Sequence, residues 1–343
     1  MNFTFPILTL CKGGAQRMLV EISNGLVDKG HEVTILMPPQ GEVDFEVKGK
    51  IIRTKGSEIT EGDYPKADVI VSNYFTTVAA AEAASQKGKG LHVRLSLCYE
   101  PTFLPQNHLT FPTYHITDKV VVLSKWQQEI IFLNHGVKGE IVPVGVSPVF
   151  NNLNIRNPAN QLQVSCILRK PEGGFSWHRE QDFLINALIT VKQRYPNVKI
   201  NCIIPPSEFS SSPSLQQLKN THPFTIYTPA NDIELSYHYN ETDIFVNSST
   251  YDTASLPGLE AMKCGASLVT INAGGNQDYC RNEQNCLISY KFQNRLADDV
   301  ARLITNQTLR KQLALAGEQE AKKWTWDRSV ATFEKAIYKF INK

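Results

Sequence analysis

The stretch DIFVNSSTYDTASLPGLEAMKCGASLVTI, residues 243–271, predicts a β-strand, a loop, a short α-helix and a second strand in that order. Its two apolar ends have the length and the Val/Ile content of buried strands. Ser255 is a candidate N-cap, Pro257 falls in the first turn, and Gly265 stands where a glycine commonly ends a helix. A helix over about 256–264 that connects two buried strands is the repeating unit of a parallel sheet.

The same alternation of strand and helix runs along the whole chain. Strands are predicted at residues 5–10, 31–37, 68–72, 91–97, 119–124, 163–168, 198–204, 224–228, 243–248 and 267–271. Helical patterns lie between them, such as the one that Gly30 ends and the one that Ser124 caps and Gly136 ends. Because the series restarts after an Asn-rich linker, 151–161, we predict an α/β protein of two Rossmann-like domains whose parallel sheets face a central cleft. The chain after about Leu296 reads as helical throughout.

Length and composition restrict the class of protein. With 343 residues, 42% hydrophobic and 20% charged, the chain has the makeup of a globular protein of two domains. A net charge of +2, without a run of basic residues, disfavours a nucleic-acid partner. Seven cysteines without a CxxC pair indicate reduced thiols, and no stretch approaches the roughly 18 apolar residues of a membrane span. Since the start is a poor signal peptide, we expect a cytoplasmic protein, and the lack of a GxGxxG motif disfavours an NAD oxidoreductase.

Asp252 and Glu260 are the residues of the opening stretch that carry chemistry. Asp252 lies in the loop after the strand and Glu260 near the first turn of the helix, so both carboxylates can face the ligand-binding edge of the sheet. The free amides of Gly258 and Leu259 at the helix start attract phosphate. A nucleoside diphosphate sugar would offer phosphates to these amides and hydroxyls to these acids. The alternative, a turn-forming aspartate and a solvated glutamate, stays open on spacing alone.

Separated segments of the chain resemble the retaining GT-B glycosyltransferases of the group-one type, glycosyltransferase family four. The segments are SSTYDTASLPGLEAMKCGASLVTINAGGNQDYCRNEQNCLI (248–288), CKGGAQRMLVEISNGLVDKGHEVTILMP (11–38), VVLSKWQQEIIFLNHG with IVPVGVSPVF (121–136 and 141–150), and KKWTWDRSVATFEKAI (322–337). The resemblance implies an acceptor domain over 1–150, a donor domain over 151–323, and a closing helix within 324–343 that packs back on the first domain.

The resemblance also implies a donor site. In this family Glu260 would bind the donor ribose, and Asp252, where the family usually has glutamate, would contact the transferred sugar. Arg169 matches an arginine that neutralises the leaving diphosphate; Arg179 best matches the accompanying lysine and Lys170 is the alternative. A solvated basic loop is the other interpretation of these cations. The remaining donor-binding residues implied are Gly13, Gly14, Tyr227, Thr228, Leu256, Gly258, Leu259, Gly274 and Gly275.

The first domain lacks the histidine-aspartate pair that many members carry, and has RLSLCYEPTFLPQNH (94–108) in its place. The Tyr99-Glu100-Pro101 triplet resembles a subgroup of rhamnosyl and polysaccharide glycosyltransferases. Tyr99 and Glu100 are therefore the acceptor candidates, with Glu100 as an orienting group or base, and a role in capping a turn stays open. We expect His92 and His108 to be structural or exposed. The predicted catalytic set is Asp252, Glu260, Arg169 and Glu100.

The reaction implied is transfer of a hexose-type sugar from a nucleotide-diphosphate donor to a glycan or lipid-linked acceptor, with retained configuration, in surface polysaccharide assembly. The family generally needs no metal, and we expect neither a metal nor another cofactor. Peripheral contact with the inner face of the membrane, a homo-oligomer and a partner glycosyltransferase stay open. Two further functions also stay open: a nucleotide-sugar epimerase on the same fold, and a non-catalytic partner subunit that binds nucleotide sugar.

Overall fold

The structure, a computed structural model, describes residues 1–157 and 161–342. The strands are β1 (Asn2–Pro6), β2 (Glu32–Met37), β3 (Lys50–Arg53), β4 (Val69–Ser72), β5 (Leu91–Leu95), β6 (Val120–Val122), β7 (Glu140–Ile141), β8 (Gln163–Ile167), β9 (Lys199–Ile203), β10 (Thr225–Tyr227), β11 (Ile244–Asn247), β12 (Ser267–Ile271) and β13 (Leu287–Ser289). The helices are α1 (Gly14–Asp28), α2 (Phe75–Gln86), α3 (Glu100–Phe103), α4 (Asn107–Thr110), α5 (Lys125–His135), α6 (Gln181–Arg194), α7 (Pro206–Ser211), α8 (Pro213–Thr221), α9 (Asp232–Glu241), α10 (Leu256–Lys263), α11 (Leu296–Thr305), α12 (Gln307–Ala321) and α13 (Trp326–Ile341). Within the two described ranges, none of these helices combines the length and hydropathy needed to cross a bilayer.

The first unit comprises residues 1–145 and the C-terminal residues from Thr325 onward. Its parallel sheet has the strand order β3-β2-β1-β4-β5-β6-β7. Helix α13 packs on α1 at Gly25, where an added Cβ would lie 2.3 Å from the Val330 Cγ2 atom. The Glu334 carboxylate of α13 also pairs with Lys29 Nζ and His31 Nε2, at 2.8 Å each. The last helix of the chain is therefore built into the unit that begins it.

The second unit comprises residues 146–324 and has the strand order β10-β9-β8-β11-β12-β13. Apolar side chains from neighbouring strands, among them Val164, Ile200, Ile244 and Val269, form its buried core. The order of the strands reverses between β8 and β11, and the loops at the carboxyl ends of strands flanking such a point form the usual ligand site. Two all-parallel sheets with connecting helices confirm the predicted α/β class with two Rossmann-like domains.

Most of the predicted elements are present, including α10 at nearly its predicted bounds and the cap of α5 by the Ser124 hydroxyl. The first strand was predicted wrongly at 5–10, since β1 ends at Pro6. Ile7 and Leu10 are buried in the loop that follows, where Leu10 makes an isolated β-bridge with Val43, so their apolar character reflects burial outside a continuous strand. The prediction also missed β3, β7 and β13, which are short strands at the sheet edges, where one side of the strand has no partner and apolar patterning is weak.

The predicted linker, 151–161, is a docked part of the second unit over its described residues; residues 158–160 lie outside the described part of the chain. The Arg156 guanidinium donates hydrogen bonds to the carbonyl oxygens of Thr242 (2.6 Å), Tyr239 (2.8 Å) and Cys264 (2.8 Å). These carbonyls lie at the C-terminal ends of α9 and α10, which attract cations. The chain passes from the first unit to the second at Gly145, before the Asn-rich segment begins.

Candidate functional site

Two loops of the second unit, one after β11 and one after β12, are held side by side. The Asp252 amide donates to the Ala273 carbonyl (2.8 Å), and the Gly275 amide donates to the Asp252 carbonyl (2.9 Å). A Cβ at Gly275 would lie 1.8 Å from the Thr253 carbonyl oxygen, so a side chain there cannot be accommodated while the loops stay together. The predicted pair Gly274 and Gly275 is thus needed for the approach of the two loops, and Gly274 also has a positive φ of 92°.

The N-terminus of α10 presents backbone amides that no other part of the described chain accepts from. Ser255 has the left-handed backbone conformation, with φ 55°, and its carbonyl oxygen accepts a hydrogen bond from the Tyr279 hydroxyl (2.8 Å). Among the described residues, the amides of Leu256 and Gly258 have no hydrogen-bond acceptor, whereas Leu259, the fourth residue of the helix, is where its hydrogen-bond ladder begins. Free amides at the positive end of a helix dipole form an anion site. The prediction that the Ser255 side chain caps this helix is wrong, because that hydroxyl accepts a hydrogen bond from Asn247 Nδ2 (3.0 Å) instead.

Arg179 contributes an unpaired cation to the same region. Burial lowers the pKa of the Arg179 guanidinium, and the nearby Asp252 carboxylate opposes that shift. In the described part of the chain the guanidinium makes neither a hydrogen bond nor an ion pair. Asp252 uses its Oδ1 atom to accept from the amides of Ser255 (3.0 Å) and Ala254 (3.4 Å). A desolvated cation without a direct partner is costly unless a ligand supplies the anion.

Arg169 is already paired within the protein. Its Nε atom donates to both Glu208 oxygens (2.8 and 2.9 Å), a second bond runs from Nη2, and the Lys170 amide also donates to Glu208 (2.7 Å). Burial would raise the pKa of Glu208, but these hydrogen bonds outweigh it and the pKa is lowered. The Lys170 ammonium instead lies against Ser211 Oγ (3.3 Å). Of the three predicted cations, Arg179 alone has no partner among the described residues.

Glu260 lies one turn into α10, and Tyr239 of α9 orients its carboxylate. The Tyr239 hydroxyl donates to Glu260 Oε2 (3.2 Å). Burial, followed by the nearby Glu260 charge, raises the pKa of Tyr239 well above its ordinary value, so the phenol remains a donor. A carboxylate oriented in this way accepts hydrogen bonds from hydroxyl groups.

His178, a histidine beside the predicted cation, was not among the predicted site residues. His178 is buried, and burial together with the Arg179 charge lowers its pKa to about 4, so the imidazole is neutral at pH 7. Its carbonyl accepts from the Thr250 amide (2.9 Å), which ties the loop before α6 to the loop after β11. Its position directly before Arg179 in the segment SWHRE, residues 176–180, was the one sequence feature that could have indicated His178 as a site residue. Glu208, Tyr239 and Tyr279 carried no comparable local signal.

Residues 173–320 match the family model described as Glycosyl transferases group 1. The entire chain superimposes on sucrose-phosphate synthase from Thermosynechococcus elongatus, with a TM-score of 0.80, 15% identity, and 100% of this chain and 99% of that chain covered. It also superimposes on Anabaena Alr3699/HepE in complex with UDP, with a TM-score of 0.78, 15% identity, and 99% and 100% covered. The chain has the GT-B fold. A Rickettsia africae glycosyltransferase has the same fold, with a TM-score of 0.78, 15% identity, and 100% and 98% covered. No curated protein matches the sequence.

The other predicted donor residues of this GT-B chain belong to β10 and the loop after it, and to the start of α1. Tyr227 ends β10, its ring stacks on His238 with centroids 4.1 Å apart, and its hydroxyl accepts from Lys199 Nζ (2.6 Å). Thr228 follows and is exposed. Strand β10 is the edge strand beyond β9 and β8, so this candidate base-binding segment is two strands removed from the switch point. Gly13 and Gly14 belong to the first unit and begin α1, with Gly13 in an extended conformation.

The predicted acceptor residues of the first GT-B domain are buried. Glu100 Oε1 accepts from the Phe75 amide (2.8 Å), and its Oε2 atom pairs with the buried Arg94 guanidinium. Burial raises the pKa of Glu100 against the opposing effect of Arg94. The Tyr99 hydroxyl lies 2.9 Å from His135 Nε2. Contact of a substrate with the Glu100 carboxylate would therefore require this network to open. The Glu100 carboxylate accepts a hydrogen bond from the first amide of α2, which agrees in part with the hypothesis that Glu100 caps a turn.

His92 and His108 are placed as expected. His92 is buried between Ser72 Oγ and Glu82 Oε2, at 2.8 Å each, and burial lowers its pKa. His108 is exposed. Over the described residues, no group of three or more His, Cys, Asp and Glu side chains is arranged to hold a metal ion.

Proposed function

We propose that this protein is a retaining, metal-independent glycosyltransferase of family four, which moves a sugar from a nucleotide-diphosphate donor to a saccharide or lipid-linked acceptor. The observation that carries the proposal is the half-buried Arg179 guanidinium, which has no partner among the described residues and lies near Asp252 in the loop that leads to the free amides of α10. A diphosphate is the ligand that satisfies both, because it provides several charged acceptor oxygens across adjacent phosphates. The match of residues 173–320 to the group 1 model supports glycosyl transfer as the reaction.

In this scheme the charge that builds up on the leaving diphosphate is stabilised by Arg179 and by the free amides of Leu256 and Gly258. Groups that are fixed before the reaction stabilise developing charge without the cost of reorienting solvent. Arg169 would act through its unused donors while Glu208 keeps it in place. These cationic and dipolar groups provide the neutralisation that a divalent metal provides in other transferases, which is the reason for proposing metal independence.

Glu260 would accept hydrogen bonds from the ribose hydroxyls, with Tyr239 holding its carboxylate in position. Asp252 would contact the transferred sugar through its Oδ2 atom, since Oδ1 is occupied by the amides of Ala254 and Ser255. These two hydrogen bonds fix the orientation of the Asp252 carboxylate. The family usually has the longer glutamate at this position. His178, neutral and buried beside both Arg179 and Asp252, would position them.

The structural neighbours support the class of substrate. HepE from Anabaena is described in complex with UDP, with UDP and glucose, and with UDP-glucose. WaaG, of the same fold at 16% identity, is described as a glycosyltransferase involved in lipopolysaccharide biosynthesis. We therefore propose a UDP-sugar as the first donor class to test and surface polysaccharide as the setting, with the rhamnosyl-like Tyr99-Glu100-Pro101 triplet as a further indication.

The test is a thermal-shift panel of UDP, dTDP, GDP, ADP and CDP with their common sugar conjugates, with and without EDTA. A ligand that binds only the folded protein raises the melting temperature in step with its affinity. We expect a shift for one base that EDTA does not change and that Glu260→Ala removes. Asp298→Ala, at an exposed ion pair of the same unit, is the matched control and should keep the shift. A shift that requires a divalent metal would contradict metal independence, and no shift for any nucleotide would contradict the donor site.

The second candidate is a nucleotide-sugar-binding subunit without transferase activity. It is favoured by the use of one Asp252 oxygen in local backbone hydrogen bonds, which leaves a single oxygen for the sugar. A protein that binds the donor in the panel but transfers no sugar to a membrane or saccharide extract would support it. NMR of a transfer product decides the configuration, and a converted donor without acceptor would indicate an epimerase.

A further inference from the structure

A cavity that the donor site does not use lies at the carboxyl ends of β12 and β13. Its volume is about 490 Å3, within the range of about 300–1,000 Å3 that is usual for small-molecule sites. The lining residues are Thr250, Ile271, Asn272, Tyr290, Lys291 and Phe292. All of them belong to the second unit, so the cavity is complete within that unit.

Aromatic rings stand exposed at this cavity. Phe292 is 85% exposed and Tyr290 is 42% exposed, with ring centroids 5.8 Å apart and ring planes at 46°. Trp177, half-exposed, lies 6.1 Å from the Tyr251 ring, next to Thr250. Exposed aromatic rings that cluster around one concavity are unfavourable in water and typical of a binding site.

Polar groups stand between these rings. The Lys291 ammonium pairs with Glu180 Oε1 (2.6 Å), and the Thr250 hydroxyl lies 3.5 Å from the same oxygen. Asn272 Oδ1 accepts from the Gly274 amide (3.2 Å) and from Gln277 Nε2 (2.7 Å). The Asn272 residue is exposed, and its Nδ2 group donates to no other described residue. The cavity therefore offers amide, ammonium and hydroxyl groups at the edge of an apolar, aromatic surface.

The cavity adjoins the proposed donor site. Asn272 directly precedes Ala273, whose carbonyl is bonded to the Asp252 amide, and Thr250 lies two residues before Asp252. Along the sheet the order is β8, β11, β12 and β13, so the cavity lies at the β12–β13 end of the sheet, where Lys291 also pairs with Glu180 from the connection between β8 and α6. A ligand here would be next to the position proposed for the transferred sugar.

We infer that this cavity binds a pyranose ring of a saccharide. The inference rests on the proposed function for its choice of ligand. A pyranose has an apolar C–H face that packs on an aromatic ring, and a rim of hydroxyls that pair with donors and acceptors such as Asn272, Lys291 and Thr250. An inorganic anion is a poorer candidate, because the cation that lines the cavity, Lys291, is already paired with Glu180. An alkyl chain is also poorer, because it would leave the polar groups of the cavity without hydrogen-bond partners. The ring could belong to the acceptor or to the donor sugar, and the experiment below separates the two.

The experiment is saturation-transfer-difference NMR on the full chain with methyl β-glucopyranoside, methyl β-galactopyranoside, N-acetylglucosamine and methyl α-rhamnopyranoside as probes. We expect saturation transfer to the C–H protons of at least one probe, and a reduction of at least about fivefold in Phe292→Ala and Tyr290→Ala. Phe132→Ala, at a 52% exposed phenylalanine of the first unit, is the matched control and should keep the wild-type signal. No signal with any probe, or an equal signal in Phe292→Ala and Tyr290→Ala, would overturn the inference.

Competition identifies the source of the ring. If neither UDP nor UDP-glucose displaces the probe, the ring belongs to an acceptor; if only UDP-glucose displaces it, the ring is that of the donor sugar. The two proposals fail separately. A protein whose melting temperature UDP raises, yet which gives no pyranoside signal, loses only the cavity assignment. A protein with an aromatic-dependent pyranoside signal but no response to any nucleotide loses only the donor site.

Discussion

Replacing Arg179 by methionine should make the free protein more stable and the nucleotide-bound protein less so. Without ligand, Arg179 is a half-buried cation with no direct partner among the described residues, and Asp252 remains hydrogen-bonded to two amides when the cation is removed. Removing such a charge should stabilise the free protein by about 1–2 kcal/mol. At about 2–4 °C per kcal/mol for a unit of this size, the melting temperature should rise by about 2–8 °C.

In the presence of nucleotide, the effect of Arg179→Met on stability should have the opposite sign. A charge-assisted hydrogen bond to phosphate contributes about 1.5–3 kcal/mol, so Arg179→Met should weaken nucleotide binding by about 10- to 150-fold. Thermal unfolding by circular dichroism measures the first effect, and titration calorimetry with the nucleotide identified in the panel measures the second. Arg194→Met, at an exposed ion pair with Asp298, is the control and should change the unfolding free energy by less than about 0.5 kcal/mol. A free Arg179→Met protein that melts lower than wild type, or one that binds the nucleotide unchanged, would refute the reasoning.

Three further predictions concern single side chains of the second unit. Glu260→Gln keeps an oxygen acceptor for its buried partner but removes the charge, so nucleotide affinity should fall about tenfold with an unchanged melting temperature; equal affinity in calorimetry would contradict its role. Gly275→Ala places a Cβ 1.8 Å from the Thr253 carbonyl and should destabilise the unit by more than about 2 kcal/mol in denaturant unfolding, whereas Gly56→Ala, with 3.9 Å of clearance, should be neutral. The pKa of His178 is lowered from 6.5 to about 4 in the folded state, so the unfolded state binds more protons and stability falls as the pH drops from about 6.5 to about 4. At pH 5 the loss should be about 2 kcal/mol relative to pH 7.5, and His178→Asn should remove that part of the decrease; an identical pH profile in the variant would contradict the assignment.

The elements around the donor loops were predictable because their patterns are local. Apolar runs of strand length, a proline in the first helical turn and a glycine at the end place α10 within about one residue of its observed bounds. The free amides at its start follow from helix geometry alone. The edge strands β3 and β13 were not predicted, because the prediction relies on apolar patterns and a strand with only one neighbouring strand needs little of such a pattern.

The roles of the basic residues could not be predicted in this way. Arg169, Lys170 and Arg179 look alike in the sequence, and the structure distinguishes them by what surrounds each one. Glu208, thirty-nine residues further along the chain, pairs with Arg169 and accepts from the Lys170 amide, while no residue that the structure describes pairs with Arg179. No periodicity reports such a partner.

Thus the order of residues was enough to establish two parallel α/β domains, the helix that presents free amides, and the two carboxylates beside it. These depend on backbone geometry and on the spacing of apolar residues, which neighbouring positions determine. Other features depend on contacts between segments that are distant in the sequence. These are the lack of a partner for Arg179 among the described residues, the hydrogen bond from the Tyr279 hydroxyl to the Ser255 carbonyl, and the aromatic rings beside β13. The charge and hydrogen-bonding state of a buried group is determined by everything packed around it, so these features exist only once the chain has folded.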